Sequence, residues 1–229
     1  MPYFLHHVFD LFFPKECLNC GKTVEFEKKL FCFYCLSEIP LTHYSGIHDN
    51  QLEQVFKGRL HVEAATTLTF FKRKGLVQRI IHQCKYQGNH ELTSNLGSWL
   101  ALEMLKSKRF DQLEYVIPVP MHPMKKKKRG YDQVAIFAEA ISYELQLELI
   151  PDFLKKQTYL ETQSSKNRFD RFGTLAKDFA INKNLDIKNK HVLLVDDLIT
   201  TGATMEACGV LLTDQAKAKL SLASMAFTI

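Results

Sequence analysis

Apolar residues along the chain follow two alternating patterns: short continuous runs, and segments with an apolar residue every three or four positions. Ala64–Phe71 is a run rich in β-branched and aromatic residues, which is typical of a strand. In the next segment, Leu76, Ile80 and Ile81 recur at helical spacing up to Cys84. The same alternation predicts a helix over 92–105, a strand over 115–120, a helix over 134–147 and a last strand over 220–229. This order predicts an α/β fold with a mostly parallel, doubly wound sheet that has helices on both faces.

The most informative stretch lies near residue 200. The aliphatic run Val192–Val195 ends in two adjacent carboxylates, Asp196 and Asp197, and a loop of small and hydroxylated residues follows them. Backbone N–H groups and hydroxyls at a helix N-terminus favour a phosphate, whereas two carboxylates accept hydrogen bonds from the vicinal hydroxyls of a sugar. The stretch therefore predicts a ribose 5-phosphate site. A strand–turn–helix connection in which the acids only cap the turn is the alternative. The loop residues are Thr200, Thr201, Gly202, Ala203 and Thr204.

A second candidate anion site follows the helix predicted to end at 84. Lys85, Tyr86, Gln87 and Gly88 break its pattern. The glycine allows a turn that exposes backbone N–H groups, and Lys85 adds a positive charge, so the segment suits pyrophosphate. The alternative is a helix end capped by glycine, with a basic residue at the negative end of the helix dipole.

Two Cys-x-x-Cys pairs lie early in the chain. Cys17 and Cys20 form the first pair, Cys32 and Cys35 the second, and a charged segment separates them. Together they supply four thiolates, which can close a tetrahedral structural zinc site with no open position. Disulfides or redox-active dithiols are the alternatives, although no secretion signal is evident and nothing typical of a thioredoxin surrounds either pair.

With 229 residues, of which 46% are hydrophobic and 24% charged, the chain has the composition of a soluble globular protein. Its apolar opening segment, 3–13, is much shorter than a membrane span, so we expect a short helix, no transmembrane segment and a cytoplasmic protein. A helix on a membrane surface is the alternative. Residues 37–60, with Pro40, Gly46 and Gly58, are interpreted as a linker. We predict two domains: 1–40, with the helix and a zinc knuckle, and 41–229.

The formal net charge is +5 at pH 7, and the basic run at 125–129 accounts for an excess of that size. Lysines that follow a phosphate backbone, with an aromatic ring to stack on a base, suit single-stranded DNA. A solvated loop kept soluble by its lysines is the alternative interpretation of the basic run. A separate polar segment, residues 153–174, is interpreted as a mobile arm or loop. The candidate nucleic-acid contacts are Lys125, Lys126, Lys127, Lys128, Arg129, Tyr131, Arg168 and Arg171.

Val192–Thr204 resembles the phosphoribosyl pyrophosphate (PRPP) motif of type I phosphoribosyltransferases, in which the acid pair holds the ribose hydroxyls and the loop holds the 5-phosphate. Nearly the whole chain resembles the ComF family of late-competence proteins. Asp132 and Thr174 depart from that family, which has asparagine at both positions. Besides the PRPP motif, the likeness rests on Phe9–Cys20, Lys85–Asn89, Pro118–Gln133, and Gln163 with Arg168 and Arg171.

The resemblance implies a domain of the type I phosphoribosyltransferase kind behind a zinc module, with structural zinc and with Mg²⁺ bound together with PRPP. It also implies a role in DNA uptake during natural transformation, with a helicase-like competence protein as partner. An active Mg-dependent phosphoribosyltransferase, which transfers ribose 5-phosphate to a nitrogen nucleophile, is the alternative; Asp196, Asp197 and Lys85 would then be catalytic. The residues expected to bind PRPP are Lys85, Tyr86, Gln87, Gly88, Asp196, Asp197, Thr200, Thr201, Gly202, Ala203 and Thr204.

Overall fold

The structure, a computed structural model, describes residues 16–24, 30–157, 178–182 and 185–229. The helix expected over 3–13 and the positions Gln163, Arg168, Arg171 and Thr174 lie outside these ranges. The strands are β1 (Ala64–Phe71), β2 (Tyr115–Pro118), β3 (Glu148–Leu149), β4 (Leu154–Lys156), β5 (Phe179–Ile181), β6 (His191–Ile199) and β7 (Lys219–Thr228). Five of them form a parallel sheet in the order β1-β7-β6-β2-β3, and β4 and β5 form a separate antiparallel pair.

Seven α-helices lie in the described part of the chain. They are α1 (Phe33–Ser37), α2 (Gln51–Phe56), α3 (Leu76–Tyr86), α4 (His90–Leu105), α5 (Pro123–Arg129), α6 (Gln133–Leu145) and α7 (Ala203–Val210). The side chain of Asn89 accepts a hydrogen bond from a backbone N–H in the first turn of α4, and Asp132 does the same for α6. A π-helical turn, Leu211–Gln215, continues α7.

The sheet has a hydrophobic core on each face. Side chains alternate along β6, so Leu193 and Val195 pack with α3, α4 and α6, whereas Val192 and Leu194 pack with α2 and α7. All four are fully buried, which is why this parallel strand is continuously aliphatic in sequence. The predicted doubly wound parallel sheet is confirmed.

The interpretation of 37–60 as a linker is wrong. Within it, Leu52 and Phe56 of α2 are fully buried in the core on one face of the sheet. Asn50 caps α2 by accepting hydrogen bonds from two backbone N–H groups, and its own amide donates to the Ala65 carbonyl at 2.9 Å. The segment is therefore a fixed part of the main fold.

The cysteine segment packs against α3. Arg79 donates a 2.8 Å hydrogen bond to the Asn19 side chain, and Gln83 donates a 3.0 Å bond to the Leu18 carbonyl. Cys17 and Cys35 are buried in the core cluster on that face of the sheet. The division of the chain at residue 40 stays a prediction. No helix in the described ranges is long and apolar enough to span a membrane.

Candidate functional site

The acid pair lies at the carboxyl edge of the sheet. The pairing of β2 with β6 stops at Pro118 and Val195, whereas β6 continues beside β7, with Asp196 opposite Ser224. Asp196 and Asp197 therefore lie where β6 extends past the end of its shorter neighbour. Open α/β sheets bind ligands at this edge, in a crevice outside the carboxyl ends of the strands.

Asp197 is held by side chains from two helices. Its carboxylate forms a 3.0 Å ion pair with Lys85 Nζ, from the last turn of α3. The amide of Gln133, the first residue of α6, donates a hydrogen bond to the same carboxylate. Asp197 is buried, and these contacts satisfy a carboxylate that would otherwise be costly to remove from water.

The contacts of Asp196 differ from those of its neighbour. Its carboxylate is half-buried and accepts a 2.8 Å hydrogen bond from the Asp197 backbone N–H. Burial, and then the negative charge of Asp197, raise the pKa of Asp196 to about 7. The pair can therefore carry one or two negative charges near neutral pH.

Positive side chains from separate elements surround the acid pair. Partial desolvation lowers the pKa of Lys125 below its usual range, and the positive charges of Arg129, Lys85 and Lys156 lower it further. Lys156, in β4, also acts electrostatically on Asp196. Three lysines are thus within electrostatic range of the acid pair. Sequence reasoning missed Lys156 and Gln133, because neither contact follows from residues nearby in the chain.

Thr200–Thr204, the threonine loop, joins β6 to α7. Thr200 and Thr201 are exposed, and Gly202 forms the N-cap of α7 with a φ of +77°, a conformation that favours glycine. The Ala203 N–H points towards the Thr201 hydroxyl, at 3.5 Å. The loop thus presents hydroxyls at a helix N-terminus beside the acid pair, as the sequence predicts.

The turn after α3 contains the glycine on which the sequence prediction rests, but one of its backbone donors is occupied. Gly88 has a φ of +64°, and its N–H donates to the Tyr131 hydroxyl at 3.0 Å. That hydroxyl in turn donates to the Cys84 carbonyl at 2.8 Å. Tyr131 therefore fixes the turn. Tyr86 points outwards, 65% exposed, with the Arg129 guanidinium 5.2 Å from its ring centroid.

The basic run forms a short helix, α5. Pro123 lies in the first turn of α5, and Gly130 ends the helix with a φ of +87°. Lys125, Lys126, Lys127 and Lys128 are exposed, whereas the half-buried Arg129 donates a hydrogen bond to Gln133. Gln133 thereby joins the basic helix to the acid pair.

Asp132 acts as a helix cap. Its carboxylate accepts hydrogen bonds of 3.0 Å and 3.2 Å from the backbone N–H groups of Val134 and Ala135. Burial raises the pKa of Asp132 above its usual value. An asparagine side-chain oxygen can make the same two contacts, so a capping role for this position does not require a carboxylate.

The four predicted metal-binding cysteines come together. The sulfur atoms of Cys17, Cys20, Cys32 and Cys35 all lie within 4.8 Å of one another, and the Asn19 amide donates to Cys35 Sγ at 3.1 Å. Such a set of thiols can hold a metal ion such as zinc. The other two cysteines, Cys84 and Cys208, are fully buried elsewhere in the core.

The chain matches known proteins over most of its length. Residues 132–226 match the phosphoribosyl transferase domain family. Competence protein F of Haemophilus influenzae is 26% identical over 213 residues, which cover 88% of this chain and 92% of that protein. Competence protein ComFC of Streptococcus pneumoniae is 28% identical over 207 residues, 90% of this chain and 78% of that one. DNA utilization protein YhgH of Escherichia coli O157:H7 is 27% identical over 136 residues, 58% and 59% of the two chains.

Four cysteines come first along the chain, and a parallel α/β sheet follows them. The acid pair lies in strand β6 of this sheet, and the threonine loop follows the end of that strand. The chain is a homologue of the ComF-type competence proteins, with a phosphoribosyl transferase domain behind a four-cysteine cluster.

Proposed function

We propose that the chain binds PRPP, or a closely related sugar phosphate, at the carboxyl edge of its sheet, and that it serves in the handling of DNA during competence. The observation that carries the ligand assignment is the position of Asp196 and Asp197 near the end of β6, just before the threonine loop. The names of the relatives, two competence proteins and a DNA utilization protein, support the wider role.

The two halves of this edge suit the two halves of a ribose 5-phosphate. Hydroxyls O2 and O3 of a ribose donate to carboxylate oxygens, and the acid pair supplies such oxygens. The threonine loop supplies hydroxyls and backbone N–H groups at the N-terminus of α7, where the helix dipole favours a phosphate.

The lysines around the acid pair suit the pyrophosphate group. Lys85 pairs with Asp197 at 3.0 Å, Lys85 and Lys156 act electrostatically on Asp196, and Lys125 interacts electrostatically with Lys85, Lys156 and Asp197. A bound Mg²⁺, which prefers oxygen ligands, would share the pyrophosphate oxygens and neutralise part of their charge. These residues thus bind and orient the ligand whether or not any reaction follows.

The cysteine cluster is proposed to hold structural zinc. Its four sulfur atoms already lie within 4.8 Å of one another, and four thiolates leave no open position for chemistry. The ion would stabilise a short segment that has few buried apolar residues of its own.

The basic helix α5 is the proposed contact for single-stranded DNA. Four exposed lysines on one short helix supply phosphate contacts, and the exposed Tyr86, beneath Arg129, supplies an aromatic surface for a base. Tyr86 suits stacking better than Tyr131, because Tyr86 is 65% exposed whereas Tyr131 is half-buried and held by the turn after α3. A helicase-like partner remains part of the proposal through the ComF likeness.

A working phosphoribosyltransferase is the second candidate function. The observation that favours it is the group of lysines beside the acid pair, because cations placed at a leaving pyrophosphate stabilise the charge that develops there. Release of pyrophosphate from PRPP with one of a panel of bases and amines would establish it.

Calorimetric titration of the reduced, zinc-loaded protein with PRPP and Mg²⁺ tests the ligand assignment. We expect saturable binding of PRPP and weaker binding of ribose, which lacks both phosphate groups. The absence of saturable PRPP binding would overturn the ligand assignment. Binding without turnover on any acceptor in the panel would support a binding protein and eliminate the enzyme.

A further inference from the structure

The threonine loop is packed against α2, a segment far earlier in the chain. A Cβ atom on Gly202 would lie 2.9 Å from the Phe56 ring and 3.1 Å from a methyl group of Val55. Such distances are too short for any side chain other than hydrogen, and the positive φ of Gly202 disfavours one as well. The backbone of the loop therefore rests directly on the end of α2.

Arg59, just after α2, joins this contact with its guanidinium group. It donates hydrogen bonds to the Val55 carbonyl at 3.1 Å and to the Thr201 carbonyl at 3.3 Å. It also forms an ion pair with Glu206, in the first turn of α7. One side chain thus links α2, the threonine loop and the helix that begins there.

The bond to Thr201 fixes the direction of a neighbouring donor. In a trans peptide the C=O group and the next N–H group point in opposite directions. With the Thr201 carbonyl turned towards Arg59, the Gly202 N–H is turned away from the guanidinium. Arg59 thereby orients a donor at the N-terminus of α7 without occupying it.

The ion pair with Glu206 removes a repulsive charge. Glu206 is only 3% exposed and lies one turn from the proposed phosphate position. An unpaired carboxylate there would repel a phosphate at short range, in surroundings that screen charge poorly. Arg59 neutralises this carboxylate, so the two together present little net charge to the loop.

We propose that Arg59 is a positioning residue for the phosphate of the ligand: it holds the threonine loop in its anion-binding conformation and neutralises Glu206. This inference rests on the proposed sugar-phosphate function and adds a residue that lies outside the sequence motif. The region interpreted from sequence as a linker thereby becomes the support of the site.

Four variants test the role of Arg59 in binding. In Arg59→Gln we expect the affinity for ribose 5-phosphate to fall about tenfold, the size of one good charged hydrogen bond, and the affinity for Mg-pyrophosphate to stay within about twofold. Arg59→Lys keeps the positive charge but lacks the planar guanidinium that bonds two partners at once, so its affinity for ribose 5-phosphate should be intermediate. The double variant Arg59→Gln, Glu206→Gln should recover part of the loss, because the unpaired carboxylate is gone. Lys57→Gln, at an exposed position of the same segment, is the control.

Hydrogen exchange supplies a second measurement that needs no ligand. The Glu206 N–H bonds to the Gly202 carbonyl at 2.8 Å, so its exchange reports on the order of the loop. We expect faster exchange of this amide in Arg59→Gln than in the wild type or Lys57→Gln. If the wild type binds neither PRPP nor ribose 5-phosphate, the proposed function fails, and exchange alone decides whether Arg59 braces the loop. Wild-type exchange in Arg59→Gln, or undiminished ribose 5-phosphate affinity in the folded variant, would overturn the inference.

Discussion

Lys85 and Asp197 form a 3.0 Å ion pair that joins the last turn of α3 to the carboxyl end of β6. Both side chains are mostly shielded from water, at 21% and 11% exposure, so the attraction is stronger than in a surface pair. A bound ligand can take the place of each partner in this ion pair. Its hydroxyls would donate to Asp197 in place of Lys85, and its phosphate oxygens would accept from Lys85 in place of Asp197. Binding therefore need not leave a buried charge unpaired on either side.

We expect the double variant Asp196→Asn, Asp197→Asn to bind PRPP at least about tenfold more weakly than the wild type. Each lost carboxylate removes charge-assisted hydrogen bonds of about 1.5–3 kcal/mol to ribose hydroxyls or to water on a metal ion. Titration calorimetry with PRPP and Mg²⁺ measures the loss. Asp111→Asn, at an exposed acid before β2, is the control. Undiminished affinity together with a lower melting temperature would show that the pair only caps its turn.

Stability should fall as pH rises towards the pKa of Asp196. Burial and the Asp197 charge raise this pKa from 3.8 to about 7, so between these values the folded state holds a proton that the unfolded state has lost. The stabilisation is complete below pH 4, decreases as pH rises and is absent above pH 7, with a total on the order of a few kcal/mol. Asp196→Asn should lack this component of the pH dependence. Urea unfolding from pH 5 to 8 measures it, and parallel profiles for wild type and variant would contradict the assignment.

Much of the fold follows from the local sequence. The strand predicted over 64–71 coincides with β1, and the helix predicted over 92–105 differs from α4 only by the turn that Asn89 caps. The sequence at α2 also contains a pattern typical of a helix start, which the interpretation of 37–60 as a linker does not take into account. Asn50 followed by Glu53 is a capping pattern, and the structure shows Asn50 bound to the first N–H groups of α2 while Glu53 accepts from the Asp49 N–H.

The candidate site also has a part that the local sequence predicts and a part that depends on the three-dimensional fold. The acid pair and the threonine loop are adjacent in sequence, so one stretch predicts both. The contacts that Lys85, Lys156 and Arg59 make or influence depend on which strands and helices become neighbours. That arrangement is decided by the order of strands in the sheet, which hydrophobic periodicity along the chain does not specify.

Purified protein under reducing conditions should contain one zinc ion per chain, and Cys17→Ser should lower that content. Three remaining thiolates leave the ion open to water, and the segment that carries them depends on the ion for its order. Metal analysis by mass spectrometry measures the content. Cys208→Ala, a buried cysteine outside the cluster, should leave it unchanged. Wild-type protein free of zinc under these conditions would eliminate the metal assignment.

Neutralising the basic helix should weaken binding to single-stranded DNA and flatten its salt dependence. Each lysine that contacts a phosphate releases counterions, so Lys125, Lys126, Lys127 and Lys128 to Gln removes up to four such contacts. Fluorescence anisotropy with a labelled oligonucleotide at several salt concentrations measures both effects. A matched control changes four exposed lysines near the amino ends of the strands to Gln: Lys108, Lys188, Lys217 and Lys219. An equal loss in both variants would place the DNA contact elsewhere than on α5.

Asp132 provides the last prediction. Because its carboxylate caps α6 by accepting from Val134 and Ala135, Asp132→Asn should preserve the cap, and Asp132→Ala should lose about 1 kcal/mol of stability. Burial raises the pKa of Asp132 above its usual value, so ionisation of this carboxyl opposes folding. Asn has no such charge to bury, so the Asn variant should be at least as stable as the wild type at pH 8. PRPP affinity should stay unchanged in Asp132→Asn, since the carboxylate is turned to its own helix. Melting curves at pH 8 and a PRPP titration separate the roles: loss of PRPP affinity in a fully stable Asn variant would show that the carboxylate contacts the ligand rather than the helix.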